Sequence, residues 1–157
     1  MDSKTNPLMK CINQVSFFDK FSNTEKEKLV ERSGIFKKYE KQGVRIFKDG
    51  DKGESVFVIL EGVIKIARTS FMGSLEKEVV LATLKKGSVF GEIALLSDSK
   101  RTTTAITASS LVIVMEVDKK TLESFDLSVQ KIFHKEMISL LIRRLDDMNN
   151  KFINKMD

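Results

Sequence analysis

The chain is poor in the residues that build redox and metal sites. Of its 157 residues, one is cysteine (Cys11), one is histidine (His134) and none is tryptophan. A single cysteine excludes an internal disulfide and fits a reducing compartment, so a cytoplasmic location is expected. A single histidine excludes the clustered histidines that metal-dependent jelly-roll enzymes use, and no EF-hand spacing is present. We therefore expect no metal, no cofactor and no catalytic residues, and the chain is not predicted to be an enzyme.

Long apolar runs are also missing. No segment approaches the roughly 18 consecutive apolar residues that a membrane helix needs. The N-terminus carries Asp2, Lys4 and Lys10 and lacks the apolar core of a secretory signal. Proline occurs once, at Pro7, and glycine eight times, which excludes collagen-like and low-complexity sequence. Hydrophobic residues make up 41% of the chain, which suits a soluble single domain without a membrane partner.

The net charge is basic, but the basic residues are not clustered. The chain has 27 Lys and Arg against 22 Asp and Glu, a formal net charge of +5. Such a balance suits nucleic acid or an anionic surface. The lysines are scattered and stand beside acidic residues, and Arg143 and Arg144 are followed at once by Asp146 and Asp147. A solvated surface is the favoured interpretation. No DNA partner is predicted, because no basic recognition helix is present.

The N-terminal part is predicted to form an arm and one helix. Residues 1–16 are interpreted as a polar N-terminal arm, and the domain proper as 17–157. Ser22 and Thr24 each have a glutamate three residues later, which is the spacing of a capping box. A short helix over 22–33 is expected, and Gly34 ends it.

Between residues 35 and 117 the sequence pattern is typical of strands. Short runs rich in Val, Ile and Phe alternate with glycine or charged turns, which is typical of a β-rich domain. The expected strands are 35–39, 44–47, 56–60, 63–68, 79–84, 88–90, 103–107 and 111–117. The longest separator lies around Gly73. The predicted fold is mainly β with flanking helices: an eight-stranded jelly-roll β-barrel, a short N-terminal helix and a long C-terminal lid helix.

The C-terminal residues 118–155 have a helical period. Asp118 is the expected N-cap of a short helix ending near Phe125, and Ser128 the N-cap of a long helix after it. In the long helix, apolar residues recur at steps of three and four, which gives a 3.5-residue seam. The seam consists of Ile138, Leu141, Leu145, Met148 and Phe152. Packing against the barrel and pairing in a homodimer both explain such a seam, and the sequence leaves both open.

One segment, residues 90–103, carries recognisable chemistry. Phe90 ends a strand, Gly91 permits a close backbone approach, and a helical turn follows from Glu92. The N-terminus of such a turn presents unpaired N–H groups to an anion, and Arg101 can add a bidentate guanidinium. Glu92 fits beside an anion if the ligand also donates a hydroxyl, as a nucleotide does. The alternative is purely structural: a cap with a surface salt bridge between Glu92 and Arg101.

This segment resembles the phosphate-binding cassette of the cyclic nucleotide-binding domain family. The family pattern runs F-G-E, a hydrophobic residue, A, L, a short turn, and then R followed by A, S or T. The similarity extends to Gly43, Ile46 and Phe47, to the glycine-rich block 50–59, and to the hairpin 61–66. It covers about residues 17–152, so a domain of this family is expected.

The resemblance implies roles for particular residues. Glu92 would accept the ribose 2′-hydroxyl, Arg101 would pair with the cyclic phosphate, and the amides of Ile93 and Ala94 would complete the anion seat beside Gly91. Further expected ligand contacts are Ala82 beneath the nucleotide, Thr102 and Thr103 after the arginine, and Arg144 and Met148 on the lid helix. The expected ligand is cAMP or cGMP, with cAMP favoured as the commoner intracellular nucleotide.

Two positions depart from the family pattern. Lys100 stands where the family commonly has proline before the arginine. The spacing from Arg101 to Ala108 is one residue longer than expected, so either the turn absorbs a residue or the strand carries a bulge. A bulge would exchange the faces of Thr102 and Thr103.

The expected function is a stand-alone cyclic-nucleotide receptor. No effector domain is recognisable after the long helix, so the receptor would act on a protein effector in trans, of unknown identity, through movement of that helix. The alternative is a degenerate domain that binds no nucleotide and serves as a scaffold or as a homodimerisation module through the C-terminal helix.

Overall fold

The computed structural model describes residues 6–156, apart from the side chain of Ala94. The helices are α1 (Pro7–Asn13), α2 (Asn23–Glu31), α3 (Glu92–Ser97), α4 (Lys119–Ser124) and α5 (Leu127–Met156), with a 3₁₀ turn at Ser16–Phe18. The strands are β1 (Phe36–Tyr39), β2 (Arg45–Phe47), β3 (Ser55–Glu61), β4 (Ile64–Met72), β5 (Leu75–Leu84), β6 (Val89–Phe90), β7 (Thr104–Thr107) and β8 (Val112–Asp118).

The strands form two four-stranded antiparallel sheets, ordered β1-β8-β3-β6 and β2-β7-β4-β5. This is the predicted jelly roll, but the two sheets do not join into a closed barrel. The position of strand β3 explains why its sequence is continuously apolar. Val56, Val58 and Leu60 face the helices, whereas Phe57 and Ile59 lie between the sheets, so the strand is buried on both faces.

The helices cover the outer face of the first sheet. The larger core cluster joins β3 and β8 to residues of α1, the 3₁₀ turn, α2, α4 and the first half of α5. From α5 it takes Val129, Phe133 and Met137, which are spaced by four residues as one face of a helix requires. The second half of α5 therefore extends beyond this packed stripe.

The N-terminal segment is not the polar arm that the sequence predicts. Residues 7–13 form α1, in which the Asn6 side chain accepts a hydrogen bond from the Leu8 amide and Pro7 opens the helix. Met9 and Ile12 are buried. The spacing of these apolar residues was visible in the sequence, and α1 belongs to the core. The remaining residues of the predicted arm, 1–5, lie outside the described range.

Local helix signals were mostly predicted correctly. Ser22 caps α2 through a complete capping box with Glu25, and the helix itself covers 23–31 rather than 22–33. The Asp118 side chain accepts the Thr121 amide and caps α4, as expected. The prediction for Ser128 is wrong, because α5 already begins at Leu127 and its Gln130 amide donates to the Asp126 carbonyl.

The region around Gly73 is a hairpin and not a long separator. Strands β4 and β5 pair as far as Met72 and Leu75, with Gly73 in the left-handed region at φ 65°. Residues on both faces of this ribbon are exposed. Its sequence therefore lacks the alternation that marks a strand lying on a core.

The predicted apolar seam of α5 does not pack against the sheets. Ile138, Leu145, Met148 and Phe152 are each more than half exposed, and Leu141 is partly buried. Of the two explanations for the seam, intramolecular packing is thereby wrong for most of its length.

Candidate functional site

A cavity of about 410 Å³ lies between the second sheet, α3 and α5. Its walls come from segments that are distant in sequence. The lining residues are Phe47, Ile66, Ala82, Leu84, Phe90, Gly91, Glu92, Ile93, Ser99, Lys100, Arg101, Thr102, Thr103 and Arg144. The cavity thus combines an apolar floor with several charged groups, as ligand pockets commonly do.

The structure brings most of the sequence-predicted site residues together here. Eight of them line the cavity: Ala82, Gly91, Glu92, Ile93, Arg101, Thr102, Thr103 and Arg144. Met148 does not line it, because it lies one helical turn beyond Arg144 and is 66% exposed. Ala94 lies in α3, and its side chain is outside the described part of the chain.

Gly91 is the N-cap of α3 and sets the direction of the cassette. Its φ of 77° is left-handed, which glycine adopts without strain. A Cβ at this position would meet Arg101 Nη1 at 2.8 Å and the Phe57 ring at 3.1 Å. The amides of Ile93 and Ala94 lie in the first turn of α3. Amides in a first helical turn have no partner within their helix. An anion at this end of α3 would meet them.

Arg101 is buried beside the cassette, with 7% of its surface exposed. Its Nη1 donates to the Gly91 carbonyl at 3.0 Å and its Nη2 to the Ser55 carbonyl at 2.8 Å. The guanidinium carbon lies 4.2 Å from the centre of the Phe47 ring, a cation–π contact. Burial lowers the pKa of Arg101, and the carboxylates of Glu116 and Asp51 oppose this effect. The guanidinium remains charged, since its ordinary pKa is far above neutral.

Gly53 is a position beside the candidate site that sequence reasoning missed. A Cβ on Gly53 would lie 2.0 Å from Arg101 Nε and 2.5 Å from its Cζ. Only glycine therefore leaves room for the arginine side chain. Gly53 was visible as part of a glycine-rich turn, but nothing in the sequence linked it to Arg101.

Glu92 is also buried, and its ion-pair partner is Arg144 of α5 rather than Arg101. The Glu92 side chain is 10% exposed and that of Arg144 is 39% exposed. Arg144 Nη1 donates to Glu92 Oε1, and Nη2 donates to the Val89 carbonyl. The surface salt bridge between Glu92 and Arg101 that the sequence also allowed is thus not formed. The C-terminal helix is tied directly to the cassette.

Three phenylalanines form an aromatic cluster beside the cavity. Phe57 and Phe90 stack with ring centres 4.9 Å apart, and Phe47 lies 5.6 Å from Phe57 and 6.0 Å from Phe90. Phe47 and Phe90 line the cavity itself. The sequence predicted them only as strand residues. Their cluster provides the face on which Arg101 rests.

The pairing of strand β7 shows whether it carries a bulge. It pairs with β4 without interruption, from Thr104 opposite Ala67 to Thr107 opposite Ile64. The irregularity lies on β2, between Arg45 and Phe47. Both Thr102 and Thr103 belong to the turn before β7, and both line the cavity. Of the two alternatives that the sequence left open, a bulge in β7 is therefore not seen in the ladder with β4.

No helix among residues 6–156 is long and apolar enough to span a membrane. Within the same range, no group of three or more His, Cys, Asp or Glu residues is placed to hold a metal ion.

Comparison with known proteins gives a consistent result. A family model described as the cyclic nucleotide-binding domain matches residues 37–126. The chain is 27% identical to the cGMP-dependent protein kinase egl-4 of Caenorhabditis briggsae, over 91% of this chain and 20% of the kinase. It is 28% identical to a CRP-like cAMP-activated global transcriptional regulator of Mycobacterium tuberculosis, over 69% of this chain and 46% of the regulator.

A solved structure supports the fold. The crystal structure of a cyclic nucleotide-binding domain from Methylobacillus flagellatus matches with a TM-score of 0.71 at 16% identity, over 93% of this chain and 80% of that one. Of the two curated relatives, the chain spans less than half the length.

Proposed function

Because the chain belongs to the cyclic nucleotide-binding domain family, we propose that it is a cyclic-nucleotide receptor module whose ligand binds in the 410 Å³ cavity. One observation carries the proposal: a buried carboxylate, Glu92, and a buried guanidinium, Arg101, line the same cavity. A cyclic nucleotide combines one anionic phosphodiester with one free ribose hydroxyl. The phosphodiester needs a cation and the ribose hydroxyl needs an acceptor, and Arg101 and Glu92 supply them in this cavity.

The phosphate subsite is formed by Arg101 and the first turn of α3. Two of the five N–H donors of a guanidinium suffice for the carbonyls of Gly91 and Ser55. The buried Nε has no hydrogen-bond partner in the described part of the chain. A phosphate that accepts a bond from one of the remaining N–H groups of this guanidinium gains a charge-assisted contact in a poorly solvated site.

The ribose subsite connects the ligand to α5. A carboxylate offers about four acceptor positions, and Arg144 uses one oxygen of Glu92. The other oxygen accepts the ribose hydroxyl while Arg144 stays bound. Ligand and helix then share one carboxylate, so any shift of Glu92 on ligand binding is transmitted through Arg144 to the second half of α5 and changes the position of Met148 relative to the base. A protein effector in trans recognises the resulting position of α5.

The base subsite is mainly apolar. Ile66, Ala82 and Leu84 supply its floor, and Thr102 and Thr103 supply hydroxyls at its edge. Threonine hydroxyls both donate and accept, so they serve adenine or guanine. We propose cAMP as the ligand. The named relatives include a cGMP-dependent kinase and a cAMP-activated regulator, so both nucleotides belong in the test.

The test is calorimetric titration with cAMP and with cGMP. We expect saturable binding of one of them at micromolar concentration or tighter, abolished in Arg101→Glu. Arg68→Glu makes the same charge change on the exposed face of β4 and is expected to bind like the wild type. Because Arg101 is buried, Arg101→Lys is included and is expected to fold with weakened binding. Wild-type affinity in Arg101→Glu would refute the assignment.

Hydrogen exchange of the α5 amides, measured in the same samples, tests whether ligand binding changes the position of α5. Ligand is expected to slow exchange in the second half of α5 in the wild type. In Arg144→Ala, which removes the link to Glu92, ligand should leave this exchange unchanged.

A second candidate function is homodimerisation through α5. Its specific support is the exposed seam of Ile138, Leu145, Met148 and Phe152. A seam at 3.5-residue spacing is what two helices need to pack as a coiled coil. This function requires no nucleotide and accounts for the scaffold alternative.

A further inference from the structure

Lys100 is an exposed residue that lines the cavity next to Arg101. The main chain around it is held in place. The Arg101 amide donates to the Asp51 carbonyl at 2.8 Å, and the Gly50 amide donates to the Arg101 carbonyl at 2.8 Å. Lys100 itself forms an isolated antiparallel bridge with Lys52. Its side chain therefore starts from a fixed point at the cavity wall.

The bridge sets two like charges side by side. Residues directly opposite each other in an antiparallel pair have Cβ atoms about 5 Å apart, and like charges there are destabilising. Lys52 has Glu54 at 3.8 Å, with 83% of the Lys52 side chain exposed. Lys100 has no ion-pair partner among residues 6–156. An anion in the cavity would offset this repulsion, and a neutral ligand would not.

Arg101 cannot supply a mobile cation at this site. Its side chain is buried, and its two Nη atoms donate to the carbonyls of Gly91 and Ser55. The guanidinium can meet a phosphate only where those bonds hold it. Lys100, one residue earlier and exposed, carries a flexible ammonium that can follow a phosphate oxygen.

We propose that Lys100 is a second phosphate-binding residue, which makes the affinity of the cavity for a nucleoside cyclic phosphate depend on salt. This inference rests on the proposed function, because it assigns a contact to the same ligand. Lys100 stands where the family pattern described above commonly has proline. Arg101 then fixes the phosphate from inside the fold, and Lys100 neutralises its solvent-facing oxygen.

The experiment measures the dissociation constant of cAMP and cGMP for wild type, Lys100→Gln, Lys100→Arg and Lys65→Gln. Lys65 is the matched control, because it is exposed on β4 next to the cavity-lining Ile66 and points to the opposite face. Titrations are run at about 0.01 M and about 1 M salt, where the Debye lengths are about 30 and 3 Å.

At low salt, Lys100→Gln is expected to raise the dissociation constant about threefold to fivefold, the upper part of the range for exposed charge pairs. The difference should largely vanish at high salt. Lys100→Arg should bind within about twofold of wild type, and Lys65→Gln likewise, since its charge is not at the cavity.

The outcomes separate the two proposals. If wild type binds and Arg101→Glu does not, but Lys100→Gln equals Lys65→Gln at both salt concentrations, Lys100 is not a phosphate ligand and this inference alone is overturned. If wild type binds neither nucleotide, or Arg101→Glu binds normally, the proposed function fails and the role of Lys100 fails with it.

Discussion

Replacing Gly53 by alanine tests whether the close approach of Arg101 holds the cassette together. Gly53 does not have a positive φ, so alanine fits its backbone and the whole effect comes from the added methyl group. That carbon would lie 2.0 Å from Arg101 Nε, whereas ordinary contact begins at 3.4 Å. The guanidinium must retreat, and its bonds of 3.0 and 2.8 Å to Gly91 and Ser55 then exceed hydrogen-bond length.

The expected cost follows from those two bonds. Hydrogen bonds to a charged group contribute roughly 1.5–3 kcal/mol each, and the displaced arginine regains part of this in water, so a net loss of about 2 kcal/mol is expected. For a chain of this size the melting temperature should fall by about 4–8 °C. The dissociation constant of the cyclic nucleotide should rise at least about tenfold, because the displaced guanidinium no longer meets the phosphate.

The control is Gly73→Ala in the β4–β5 hairpin. Gly73 has a φ of 65° and no neighbouring atom within 4 Å of an added Cβ. Its replacement costs about 1 kcal/mol of backbone strain and is expected to leave nucleotide affinity unchanged. Thermal unfolding and calorimetry are measured on both variants. Wild-type affinity and melting temperature in Gly53→Ala would refute the reasoning.

Two further predictions concern α5 and α4. Leu145→Lys is expected to convert a dimer into a monomer in sedimentation experiments. Its melting temperature should change little, since Leu145 is 58% exposed. Asn150→Lys, at an exposed position, serves as the control, and a wild-type monomer at high concentration would contradict the prediction. Asp118→Ala should lower the free energy of unfolding by about 1 kcal/mol at neutral pH, because the N-cap of α4 is lost. The hydrogen bond from the Thr121 amide is the main cause that lowers the pKa of Asp118 below 3.8 in the folded state. The contribution of Asp118 is therefore present above pH 3.8 and is lost as the pH falls through the folded-state pKa. Urea titrations of both proteins should converge in acid, and a constant difference at every pH would argue against the cap.

The parts that the sequence predicted well are those fixed by local physics. The apolar run of β3 is visible because both of its faces are buried. The Ser22 and Asp118 caps are side-chain to backbone bonds across three residues. The cassette has a glycine at a left-handed N-cap, which only a few residue types tolerate.

The parts that were missed depend on contacts between distant segments. The Glu92–Arg144 pair joins residues 52 positions apart; the family resemblance singled out Arg144 as a ligand contact, but nothing in the sequence paired it with Glu92. The same holds for the space that Gly53 leaves for Arg101. Helix α1 is a different case, since Met9 and Ile12 carry helical spacing but the helix has only 7 residues.

The length of α5 has a mechanical consequence. The helix has 30 residues, and its first half is clamped to the core by Val129, Phe133 and Met137. Arg144 touches the cassette close to where this clamp ends, and the helix continues for about 18 Å to Met156 at 1.5 Å per residue. A tilt of about 10° at Arg144 would displace the far end by roughly 3 Å, so a rigid helix acts as a lever. A change confined to one carboxylate would thereby become a movement large enough to break or form an interface at the tip.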